Sequence, residues 1–173
     1  MSQSPLNQQD PPSRHHTLGP HSINQRVRSV QLGEAPEEAA TADALIRRPE
    51  NDGWVLPLAD TGVRVQVDYA LSFLTSDGYI FRIEQPLTLT SSDGHQHLLV
   101  PEGDPTKLAP ALELGRTTMT MANAFDDGHL ELAFGNGVTI HVPPGEDFES
   151  WQACGPEGLM LVAVPEGGLS LWR

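Results

Sequence analysis

His95-Gln96-His97 sets two imidazoles two residues apart. On an extended strand that spacing puts both rings on one face, where they can share a divalent ion. Such a site needs further ligands. His129, His141 or an acid such as Glu131 would supply them if their strands lie alongside. The simpler reading of the pair is a solvent-facing hairpin just after Asp93-Gly94. Cys154 is the single cysteine, so neither an intrachain disulfide nor a multi-cysteine metal site is possible. A nucleophilic thiol needs a neighbouring base and surroundings that favour thiolate. No such signature surrounds Trp151-Gln-Ala-Cys154, and an inert, half-buried thiol is expected. The chain has no G-x-S-x-G elbow, no P-loop and no dinucleotide fingerprint. No catalytic residue and no cofactor are therefore expected.

The remaining chemistry lies in carboxylates. Glu146, Asp147 and Glu149 cluster before Trp151, and Asp126-Asp127 precedes Gly128. The aspartate pair fits a turn better than an acid–base dyad. Together these five form a candidate partner-binding edge. Two other readings compete: the 146–149 cluster as a calcium edge, or charges that keep an exposed strand from pairing edge to edge.

The charge balance points the same way. Ten basic and 23 acidic residues give net −13. Residues 1–53 hold 5 basic and 7 acidic residues, net −2; the rest hold 5 and 16, net −11. A field of that sign repels nucleic acid and anionic membrane and draws in a basic protein. It also serves solubility alone. The opening MSQSPLNQQDPP lacks a basic region and an apolar stretch, so no secretory signal is expected and cytoplasm is the expected compartment. No apolar run approaches the length that spans a bilayer.

The elements that must position these residues follow from periodicity. Residues 1 to about 33 are rich in Gln, Ser, Pro and His, with little to bury, and predict disorder. His15, His16 and His21 sit there as adventitious metal catchers. Residues 36–46 (PEEAATADALI) predict a short helix opened by Pro36 and stopped by Pro49. We place the arm at 1–52 and a single β-rich domain at 53–173. From Trp54 the pattern has period two: Val63-Val65-Val67, Tyr79-Phe81-Ile83, Leu87-Leu89, Leu130-Leu132-Phe134 and Val138-Ile140-Val142 each share a face. Asp77-Gly78, Asp93-Gly94, Asp127-Gly128 and Asn136-Gly137 are hairpin turns. A three-residue loop at Gly135–Gly137 would set Phe134 opposite Val138, Leu132 opposite Ile140 and Leu130 opposite Val142, all on one face. Asp104 would cap one helical turn begun by Pro105 and stopped by Pro110. Trp151 and Trp172 are expected in the core. The fold class is mainly β: an antiparallel sandwich or partly open barrel of about nine strands with one or two short helical turns.

The closing pattern carries a resemblance. It runs Phe148-Glu149-Ser150-Trp151, a Gly155–Gly158 turn around Pro156, then Pro165-Glu-Gly-Gly-Leu-Ser-Leu-Trp172. With Trp54-Val-Leu-Pro57-Leu58 and Gly137-Val-Thr-Ile-His-Val142, it resembles the bacterial domain of unknown function family 6188 over roughly residues 54–173. Phe148 stands where that pattern leads us to expect Tyr. The shared residues specify turns and packing, and the family brings no activity with it. Similar small acidic proteins ending in tryptophan look like immunity or partner-binding proteins of toxin systems. The expected function is a non-enzymatic acidic binding module for a basic protein. The alternatives are an accessory domain docked by its arm and a histidine-based metal-binding β-barrel enzyme.

Overall fold

The computed structural model describes residues 45–48 and 52–172. The chain divides into two units, Met1–Glu37 and Glu38–Arg173, and every described residue belongs to the second. The arm expected at 1–52 and the helix expected at 36–46 lie outside the described residues, apart from Leu45–Arg48 and Asp52. There Ile46 opens a strand rather than ending a helix.

Thirteen strands are present among the described residues: β1 (Ile46–Arg48), β2 (Gly53–Val55), β3 (Thr61–Val67), β4 (Leu71–Thr75), β5 (Ile80–Ile83), β6 (Leu87–Thr90), β7 (Gln96–Leu99), β8 (Thr118–Phe125), β9 (Leu130–Phe134), β10 (Thr139–Val142), β11 (Trp151–Cys154), β12 (Met160–Ala163) and β13 (Leu169–Trp172). All pair antiparallel in one open sheet, ordered β13-β12-β11-β5-β4-β3-β8-β9-β10-β6-β7, with β2 alongside β8 and β1 alongside β2. The mainly β expectation holds. Two of the strands beyond the nine expected escape period-two reading for physical reasons. Central β4 is buried on successive residues, so it carries no alternation. In β8 a bulge between Met119 and Met121 flips the phase, so Met119 is buried and then Ala122 and Ala124.

β3 is where the sheet folds over. Its Thr61 and Gly62 pair with β8, while Val63–Val67 pair with β4. The two halves then share one core. Phe73 of β4 packs on Phe134 of β9 with ring centroids 5.6 Å apart. Trp151 of β11 donates its indole N–H to the Gly128 carbonyl at 2.8 Å. Inward residues alternate along the hairpins: Leu130, Leu132, Phe134, Ile140 and Val142 are all buried. The β9–β10 register matches the expected three-residue loop, with Leu132 opposite Ile140 and Leu130 opposite Val142. Phe134 and Val138 close that loop through a backbone bond of 3.0 Å.

Two expectations are corrected. Trp172 is not core: it lies on edge strand β13, 52% exposed, because no strand among the described residues pairs beyond β13. Pro110 does not stop the helical segment. Asp104 caps a 3₁₀ turn at Pro105–Leu108, accepting the Thr106 N–H at 3.0 Å. The helix α1 (Ala109–Leu112) and a further 3₁₀ turn (Glu113–Arg116) follow directly. Pro110 sits in the first turn of α1, where its missing N–H has no partner to lose. None of the described helices is long and apolar enough to cross a membrane.

Candidate functional site

The β8–β9 turn carries Asp126 and Asp127, the β10–β11 loop carries Glu146, and the β12–β13 turn carries Glu166. These four carboxylates line one cleft of about 700 Å³ with Pro143, Pro144, Gly145 and Gly167. Backbone contacts tie these loops to one another. The Glu166 N–H reaches the carbonyls of Gly145 (3.1 Å) and Glu146 (3.2 Å). Gly128 lies so close to Gly168 that a Cβ there would sit 3.1 Å from that residue's N and O. Gly145 is tighter still: a Cβ would come within 2.1 Å of the Phe148 carbonyl oxygen. A preorganised rim of like charges results.

One guanidinium already meets this rim. Arg47 forks onto Asp126, with contacts of 2.6 and 2.5 Å to its two oxygens, and lies over the Trp54 ring at 5.3 Å from its centroid. This is the paired geometry by which arginine recognises a carboxylate. Asp127 also bonds within its own turn. It accepts the His129 N–H at 3.0 Å and contacts His129 Nδ1 at 2.5 Å. Burial alone would raise the Asp127 carboxyl. The backbone N–H and the ring hydrogen bond of His129 outweigh this and hold it below its ordinary value.

A second groove adjoins the first. Gln85, Pro86, Pro143, Pro144, Glu146, Asp147 and Phe148 line it. Phe148 is 72% exposed, an apolar ring beside two carboxylates. Of the five expected partner-facing acids, Asp126, Asp127 and Glu146 therefore share the first cleft. Asp147 joins Glu146 in the second, and Glu149 is exposed but lines neither. Glu166 was not among the expected residues. Its signal in the sequence is a Pro-Glu-Gly-Gly turn, which reads as punctuation until the fold brings it to Gly145.

The histidines divide between the two faces of the sheet. His97 pairs with Leu89, which pairs with buried Ile140, so His97 is on the inner face near its edge. Its ring meets that of His95 edge-on at 4.7 Å. His141 follows Ile140 and faces outward. Across from it in register is Glu131, with Asn123 beyond. His129, Glu131 and His141 offer ligand atoms within 4.8 Å of one another. The expectation that these residues could complete a site begun by His95 and His97 fails, because the two sets lie on opposite faces. Asn123 gives its amide N–H to Met121 Sδ at 3.2 Å, and its shielded Oδ1 has no hydrogen-bond partner among the described residues. Cys154 is half-buried and alternates with buried Ala153.

The sequence pattern of a family of unknown function matches residues 54–173, the whole β-rich region from the second half of β2 onward. The chain belongs to family DUF6188. No curated protein and no solved structure matches it. Membership in DUF6188 assigns no chemistry to the cleft.

Proposed function

We propose that this DUF6188 protein is a non-enzymatic binding module that takes a basic segment of a protein partner into the acidic cleft, in the manner of an immunity protein blocking its target. The observation that carries this reading is the convergence of Asp126, Asp127, Glu146 and Glu166 from three separate loops onto one concave floor. Like charges brought together repel one another; Arg47 offsets Asp126, and a further cation would relieve the rest. Arg47 on Asp126 supports guanidinium as the fitting group. The exposed Phe148 offers a flat apolar surface for the stem or the plane of a neighbouring arginine. The surplus of acids over bases in the β-rich region adds long-range steering.

The test is fluorescence anisotropy with a short labelled arginine-rich peptide. We compare the natural chain with the variant Glu146→Gln/Asp147→Asn/Glu166→Gln. The natural chain should bind, more weakly as salt rises, and the variant should bind at least about tenfold more weakly, as for several partly desolvated charge pairs. Equal binding by the two proteins, or binding indifferent to salt, would refute the reading.

A further inference from the structure

We propose that His129, Glu131 and His141 form a binding site for one divalent transition-metal ion of the zinc class on the outer face of the sheet, with ligands distinct from the carboxylates of the acidic cleft. His129 and Glu131 are two residues apart on one side of the chain leading into and along β9. Glu131 and His141 are direct partners across β9 and β10. Opposite residues in an antiparallel pair hold their Cβ atoms about 4.5–5.5 Å apart, so both side chains reach one point above the sheet. The three ligand atoms lie within 4.8 Å of one another, and small rotations of half-buried Glu131 and exposed His141 close that gap onto one ion. Two imidazoles and a carboxylate suit zinc and its neighbours and leave a further position open to solvent.

The surroundings of His129 supply a second, independent observation. Asp127 engages His129 Nδ1, which fixes the ring with Nε2 as the lone-pair nitrogen for the ion. Phe125 stacks on the same ring at 3.8 Å between centroids, 13° from parallel. A histidine held by a carboxylate on its far nitrogen is the arrangement that orients metal-ligating imidazoles. His95 and His97 contribute nothing, since they lie on the inner side.

The test is calorimetric titration of zinc(II) into the chelator-stripped full chain, with cobalt(II) absorption as a second readout. The starting protein carries His15→Gln, His16→Gln and His21→Gln, so that arm histidines bind nothing. We expect one ion per chain and a cobalt spectrum of nitrogen and oxygen ligation. Asp127→Asn should weaken binding by about 10–100-fold with all three ligands intact. Glu131→Gln and His141→Gln should weaken it more, and His95→Gln/His97→Gln should leave it unchanged. Thermal unfolding in chelator shows that each variant is folded. The proposal is overturned if no ion binds at unit stoichiometry. It is equally overturned if His141→Gln binds like its parent, or if the His95/His97 variant abolishes binding.

Discussion

Glu166 holds an uncommon backbone angle for its type, φ +63°, at the rim of the acidic cleft. A left-handed conformation costs an L residue about 1–2 kcal/mol, and glycine returns roughly 0.5–1 kcal/mol of any gain through its freedom in the unfolded chain. Glu166→Gly should therefore stabilise the fold by up to about 1 kcal/mol while weakening the arginine-rich peptide. Thermal unfolding and anisotropy on the same variant check the two signs. A variant that loses both stability and affinity would show that Glu166 serves packing. This residue also marks a limit of sequence reading. Asp126, Asp127 and Glu146 were visible as carboxylates near turns, but Glu166 joins them through backbone bonds to Gly145 and Glu146 that no local pattern announces. His129, Glu131 and His141 were each legible as ligand types. Which face each occupies needed the register, and the register separated them from His95 and His97.

At the scale of elements, the β8–β9 turn bears the most. It carries Asp126 and Asp127 toward the cleft, starts the strand that bears Glu131, and gives its Gly128 carbonyl to buried Trp151. Gly128 has φ +92°, and a Cβ would press on both the N and O of Gly168. Gly128→Ala should cost about 1–3 kcal/mol, the range for a residue held in a sparsely populated conformation. It should also weaken peptide binding, because the β12–β13 turn that holds Glu166 must move away. Denaturant unfolding gives the first quantity, and a variant as stable as the parent would refute the packing argument. The hairpin on the other end of β9 was fully legible: one register puts six apolar side chains on one face, and a slip by one residue would not. β8 was not legible, because the bulge at Met119–Met121 reverses its alternation midway. β4 was hidden for the opposite reason, being buried on both faces.

For the whole molecule, net −13 sets two opposing pH trends. Self-repulsion fades as pH falls from 7 toward the isoelectric point near 4.7, which favours the compact state. Against this, four turn carboxylates, Asp127 among them, have folded pKa values below their ordinary ones. Asp68 is lowered chiefly by the Ala70 N–H, Asp93 by the Ser91 hydroxyl, and Asp104 by the Thr106 hydroxyl. A carboxylate with a lowered folded pKa stabilises the fold above its unfolded value, about 3.9, and that contribution is lost as pH falls through the folded value. The melting temperature should thus rise or hold between pH 7 and about 5 and drop below about 4. A steady fall from pH 7 to 5 would contradict the charge argument. The fold class was open to sequence reading because apolar alternation and Asp-Gly turns recur from Val63 to Val142. The fold-over at β3 was not, since it depends on one strand dividing its pairing between β8 and β4.

The central claim is that the cleft, and not the acidic surface at large, receives a basic segment. The most direct test is nuclear magnetic resonance titration of the isotope-labelled chain with the arginine-rich peptide, following every backbone amide. The account predicts saturable shifts concentrated at Asp126, Asp127, Gly145, Glu146, Glu166 and Gly167, with Phe148 following. Shifts scattered over all acidic residues without saturation, or confined to edge strands β7 and β13, would contradict it.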